Sequence, residues 1–224
     1  MNRLATPANF LLVELIPETY LAPLDPLAIF GRAAPLHVDL GCGDGSFLCE
    51  LARQNPDKNF LGTEKLVGRV AKVCRKAAAL ENVRVLNVES SYAVRYLLPE
   101  ASVETFYLLF PDPWPKRRHH RRRIVTHDFL NSIHQALESE GVLRVATDQR
   151  DYFAQIDRVA TSHSEFGAID FEDVDLPMTK FERRFREAGA PVYRLALRKV
   201  SPVTNAFARQ PSESKDNSTA PVSS

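Results

Sequence analysis

LHVDLGCGDG, residues 36–45, decides the fold. A short apolar run stops at a turn with glycines at 41, 43 and 45. SFLCELARQ (46–54) follows, with Phe47, Leu48, Leu51 and Ala52 at helical spacing. This reads as a buried strand, a tight turn and a helix. Working outward, the unit repeats. NFLGTE (59–64) and VRVLNV (83–88) read as strands, with a helix over VGRVAKVCRKAAAL (67–80) between them. VETFYLLF (103–110) is the strongest strand, β-branched and aromatic along its length. A helix fits 126–138, a strand GVLRVAT (141–147), a helix 149–162 and a last strand YRLALRK (193–199). Strands alternating with helices predict an α/β fold, a doubly wound, mostly parallel sheet with helices on both faces. Ligands of such sheets sit beyond the carboxyl ends of the strands.

Around this domain, residues 1–34 are proline-containing and without period, an irregular N-terminal extension. Residues 35–200 form the domain. Residues 201–224, rich in Ser, Pro and Ala, are expected to be a disordered tail. The 224 residues, 44% hydrophobic and 25% charged, suffice for one substantial core. No stretch approaches a membrane span, and the apolar patch near the start is broken by Glu14 and Pro17. Three cysteines, Cys42, Cys49 and Cys74, form no CxxC pair and read as reduced core thiols of a cytoplasmic protein.

The turn after the first strand is G-x-G-x-G, with an acid, Asp39, ahead of it. Gly41, Gly43 and Gly45 permit positive φ and close approach of a ligand. Asp39 would repel a pyrophosphate but suits a cationic group such as a sulfonium with an α-amino group. Glu64 ends the second strand, where an acid accepts hydrogen bonds from ribose hydroxyls. Glu89 follows the third, placed to meet an adenine amine. Three acids around a glycine turn point to S-adenosyl-L-methionine.

The fourth strand runs into FPDPWPKRRHHRRR (110–123). Three prolines stiffen the loop and hold Asp112 at the sheet edge. Trp114 offers a face on which a base can stack. The net charge of the chain is +1, yet residues 116–123 hold six Lys or Arg, so everything outside them is net negative. Local positive charge with no acid interleaved marks an anionic partner, the backbone of an RNA. His119 and His120 lack a second cluster at metal-like spacing, so no metal is expected.

Together with TDQRDY (147–152) and TKFERR (179–184), these motifs resemble the bacterial tRNA (guanine-7) methyltransferase family over roughly residues 36–199. The resemblance implies the Rossmann-like class I methyltransferase fold and S-adenosyl-L-methionine as cofactor. It implies methylation of ring nitrogen 7 of the variable-loop guanine, position 46, of tRNA. By resemblance, Asp39, Glu64, Glu89 and Asp112 hold the cofactor, and Asp112 also stands at the catalytic centre. Substrate contacts fall on Lys116 and Asp148, and on Thr179, Lys180, Phe181 and Glu182. The stretch that touches RNA falls on Arg118, His119, His120, Arg121, Arg122 and Arg123. Asp39 replaces the family's usual Glu, and Glu89 its usual Asp. Both changes keep the charge and alter its reach by one methylene.

The residue types suit that chemistry. Guanine nitrogen 7 has an in-plane lone pair and needs no general base, so orientation dominates. A fixed carboxylate favours the cationic product. Acceptors at Asp148 and Glu182 match the N–H edge of guanine and reject adenine. Competing readings are an adenine amine methyltransferase, a small-molecule methyltransferase and an RNA-binding protein without catalysis. The order P-D-P-W argues against the first, and the basic run against the second. Cofactor binding discriminates the third, which would show none.

Overall fold

The computed structural model describes residues 13–171 and 176–200. Its eight strands form one sheet: β1 (Glu14–Leu15), β2 (Leu36–Leu40), β3 (Asn59–Thr63), β4 (Val83–Leu86), β5 (Val103–Leu109), β6 (Leu137–Thr147), β7 (Phe166–Ile169) and β8 (Tyr193–Lys199). The order across the sheet is β1-β4-β3-β2-β5-β6-β8-β7. From β2 the chain winds one way through β3 and β4, then returns to place β5 and β6 on the other side. The switch point therefore lies between β2 and β5, where sheets of this kind open a binding crevice.

The pairs β1·β4 through β5·β6 are all parallel, whereas β8 runs antiparallel to both β6 and β7. The expected mostly parallel sheet is thus observed, with an antiparallel edge. All five residues of β2 are buried, because helices cover both faces of the sheet. Their alternation decides the chemistry. Leu36, Val38 and Leu40 join one apolar cluster with Phe129, Ile133 and Ile156. His37 and Asp39 point the other way, toward Tyr107.

The helices are α1 (Pro26–Phe30), α2 (Ser46–Gln54), α3 (Val67–Ala77), α4 (Ser90–Tyr92), α5 (His127–Ala136), α6 (Arg150–Thr161) and α7 (Lys180–Glu187). In α3, Val70, Val73, Cys74 and Ala77 are buried, the i, i+3, i+4, i+7 stripe of a packed helix. A wider turn, Ala93–Leu97, continues α4. The segment ahead of residue 35, read as irregular, contributes β1 and α1. Asp25 caps α1, accepting from the N–H groups of Leu27 and Ala28. The expected helix over 126–138 ends at Ala136, and β6 starts directly at Leu137, four residues earlier than expected. All three cysteines are buried and unpaired. Among the described residues no helix is long and apolar enough to cross a membrane. Residues 201–224, expected to be a disordered tail, lie outside the described residues.

Candidate functional site

A cleft of about 470 Å³ opens at the switch point, lined by the ends of β2, β3 and β5 and by the start of α7. Its floor is the glycine turn. Gly41, Gly43 and Gly45 all have positive φ, at 77°, 58° and 71°. A Cβ on Gly41 would meet nothing within 4 Å, so that backbone is open to a ligand. Gly45 is glycine for another reason: a Cβ there would lie 2.9 Å from a Val73 methyl group. It does not line the cleft; it lets α2 start against α3.

Asp39 and Glu64 line the cleft and are each only 4% exposed. Burial, and then the charge of Glu64, push the Asp39 carboxyl up to about 7. Glu64 is anchored by the N–H of Leu66 at 2.8 Å and faces Arg69 at 3.5 Å. Two buried acids on neighbouring strands favour a cation between them, the donor set that a sulfonium amino acid requires. Glu89 also lines the cleft. It caps α4, accepting from the N–H of Tyr92 at 3.1 Å and from the Ser91 hydroxyl.

The opposite wall is the loop after β5. Phe110 and Trp114 hold positive φ, 55° and 43°, which for such side chains costs about 1–3 kcal/mol each. That strain turns the chain so that Asp112 and Trp114 line the cleft. Asp112 is 71% exposed, with Lys65 3.9 Å away.

The basic run folds as a 3-10 turn, Arg117–Arg122, flanked by Lys116 and Arg123. Its period of three residues divides the run into faces. His119 packs edge-on to the Trp114 ring at 5.8 Å, and Arg122 lies over that ring at 4.8 Å. His120 and Arg123 turn toward Asp151, at 4.0 Å and 2.6 Å. Arg118 and Arg121 are exposed, as are Lys116 and Arg117.

Arg123 therefore corrects the expectation that the whole run touches RNA. It is 3% exposed and donates to Pro113 O, Gln155 Oε1 and Asp151 Oδ2. Its guanidinium stacks on Tyr152 at 4.7 Å and holds the loop from beneath. His120 is likewise turned inward, with a buried Nε2.

Thr179 caps α7, accepting from the N–H of Glu182 at 3.0 Å. Thr179, Lys180 and Phe181 line the cleft. Phe181 and Phe185 lie 6.4 Å and 5.4 Å from the Phe110 ring, which seats the helix on the end of β5. Glu182 is outside the cleft wall; its Oε1 accepts from Arg194 at 2.5 Å and pairs with Arg186 at 2.6 Å. Asp148 also stands outside, accepting from the side-chain amide of Gln149 at 2.5 Å. The structure thus gathers Asp39, Glu64, Glu89 and Asp112 with the start of α7, and leaves Lys116, Asp148 and Glu182 outside the cleft lining. Asp44, inside the glycine turn, was not singled out by sequence. Its carboxylate meets Lys76 at 2.8 Å and Lys180 at 2.5 Å. The only local signal was an acid between two glycines.

A family model described as a putative methyltransferase matches residues 33–195. The tRNA (guanine-N(7)-)-methyltransferase of Thermotoga maritima is 39% identical over 196 residues, 84% of this chain. The chain spans 61% of that relative. The enzyme of the same name from Halorhodospira halophila is 39% identical over 82% of each chain. Among solved structures, a 16S rRNA (adenine(1408)-N(1))-methyltransferase from Catenulisporales acidiphilia with cosubstrate S-adenosylmethionine superposes with a TM-score of 0.54. It covers 80% of this chain and 93% of its own at 16% identity, and so shares the fold. The glycine turn with its acids, the Pro-Asp-Pro-Trp loop and the capped Thr-Lys-Phe-Glu arm all fall inside the matched span, and the chain belongs to the tRNA (guanine-N(7)-)-methyltransferase family.

Proposed function

We propose that this protein methylates nitrogen 7 of the variable-loop guanine, position 46, of tRNA. One observation carries the reading: the glycine turn with its two buried acids and the Asp112–Trp114 loop with its basic turn face each other across one cleft.

S-adenosyl-L-methionine, when bound, supplies an electrophilic methyl group on a cationic sulfur. Asp39 is suited to hold its amino-acid end, Glu64 its ribose and Glu89 its adenine. The open backbone at Gly41 admits it closely. On the guanine side the protein needs no general base. It has to orient the base, and orientation alone is worth several orders of magnitude in rate. Trp114, already backed by Arg122, offers an aromatic surface beside Asp112. The Asp112 carboxylate favours the positive charge that grows on the ring, and more strongly once the substrate displaces water. Asp148 and Glu182 suit the guanine ring N–H and amine. Adenine presents an acceptor where guanine donates, and so offers these carboxylates no hydrogen bond at that position. Lys116, Arg117, Arg118 and Arg121 suit the phosphates of the strand leading in, and the base must leave its stack to enter.

Two tRNA transcripts, one with guanine and one with adenine at the variable-loop position, test the reading with labelled cofactor. Label is expected in the first alone. Equal label in both moves the reaction to another nucleotide, and tRNA binding without cofactor binding leaves an RNA-binding protein.

A further inference from the structure

The run Thr179–Glu182 is attached to the body of the protein at three places. Phe181 packs on Phe110, and Glu182 bonds Arg194. Both attachments lie on the substrate side. The third crosses the cleft: Lys180 Nζ donates to Asp44 Oδ2 at 2.5 Å, across 136 residues of sequence.

Asp44 is built to receive it. It stands between Gly43 and Gly45, both at positive φ. Its carboxylate also accepts from the N–H of Ser46 at 3.1 Å and pairs with Lys76 at 2.8 Å. Lys76 Nζ in turn donates to Asp44 O at 2.8 Å and to Ser46 Oγ at 2.5 Å. The carboxylate is therefore fixed before Lys180 arrives, and one anion joins two ammonium groups. With a neutral side chain in its place, Lys76 and Lys180 would face each other uncompensated. The bonds from Lys180, Lys76 and Ser46 outweigh its partial burial and hold Asp44 well below the usual carboxylate range, so the anion persists at any working pH.

We propose that Asp44 is a positioning residue: through Lys180 it docks the 179–182 arm on the glycine turn, so that binding of the cofactor and recognition of guanine reinforce each other. The proposal rests on the reading of that arm as the guanine-recognising segment. It gives Lys180 an intramolecular role in place of a direct contact with substrate.

A double-mutant cycle tests it, with Asp44→Asn, Lys180→Met and both together, in the full-length enzyme. KM for tRNA and kcat are measured at saturating cofactor, and the cofactor Kd is measured with and without tRNA. Each single change is expected to raise the tRNA KM about three- to tenfold, with a smaller change in kcat, and the double variant to be no worse than the worse single one. Lys180→Arg, which keeps the pairing cation, is expected to retain the wild-type KM. Additive losses would mean that Lys180 touches the RNA directly, and would overturn the docking. So would an unchanged KM in Lys180→Met, a change at an exposed position that carries little risk to folding. Failure of the functional reading is seen separately, as a wild-type protein that transfers no methyl group to tRNA, and it takes the coupling with it.

Discussion

Arg123 donates to Asp151 Oδ2 at 2.6 Å from a position that is 3% exposed, two residues after Arg121, which faces solvent. Neighbouring arginines of one run thus do different work. Arg123→Ala is expected to destabilise the fold by roughly 2–3 kcal/mol, because Gln155, Pro113 and Asp151 lose a charged donor. Arg121→Ala should leave the melting temperature unchanged, weaken tRNA binding and reduce its salt slope by about one. Thermal melts and tRNA titrations at several salt concentrations separate the two. An exchange of these phenotypes would reverse the assignment of the faces.

Asp39 gives the cofactor site a pH dependence with a definite sign. Burial and the Glu64 charge raise its carboxyl to about 7. In the unfolded chain it titrates near the ordinary Asp value of about 3.9. Between those values the native state holds a proton that the unfolded state has released. The stability of the ligand-free protein therefore falls as pH rises through about 7. A cationic ligand prefers the ionised form. Cofactor affinity should rise about tenfold between about pH 6 and pH 8, with proton release on binding. In Asp39→Asn the affinity is weak and the slope disappears. A flat profile in the wild type would separate Asp39 from the cofactor.

At Gly45 two constraints coincide, a φ of 71° and a Val73 methyl group 2.9 Å from where a Cβ would stand. Gly45→Ala should cost about 2–4 kcal/mol in stability from strain and overpacking, measured by denaturant unfolding. Gly41→Ala meets only the backbone constraint and should cost less stability. Its larger effect should be on cofactor affinity, since its Cβ would project into the open space of the cleft.

Asp112 is exposed and contributes little packing, so removing it isolates its chemical role. Asp112→Ala is expected to lower kcat by at least about a hundredfold while tRNA affinity changes less than about twofold. Equal loss of both would make Asp112 a binding residue only.

The sequence made legible what local pattern encodes. The helix expected at 46–54 and the strand at 193–199 match to the residue, because each carries its apolar period. Asp39, Glu64, Glu89 and Asp112 are readable as a set lining one cleft because each lies at, or within three residues beyond, the carboxyl end of a strand that the pattern identifies. What escaped depends on distant partners. The two residues of β1 are a strand only through pairing with β4. Helix α7 buries no side chain, and its apolar signal is only the pair Phe181 and Phe185 among charged residues; the Thr179 cap and the Phe110 contact hold it. The basic run looks uniform because composition shows neither the 3-10 period nor the acceptors that take up Arg123. Asp44 looked like a turn residue because its partner lies 136 positions away.

The most direct test of the central claim is to incubate the protein with S-adenosyl-L-methionine and unmodified tRNA, digest the product and identify its nucleosides. The expected product is 7-methylguanosine, formed from the variable-loop guanine and absent with Asp112→Ala. Any other methylated nucleoside, or none from a protein that binds both cofactor and tRNA, would contradict it.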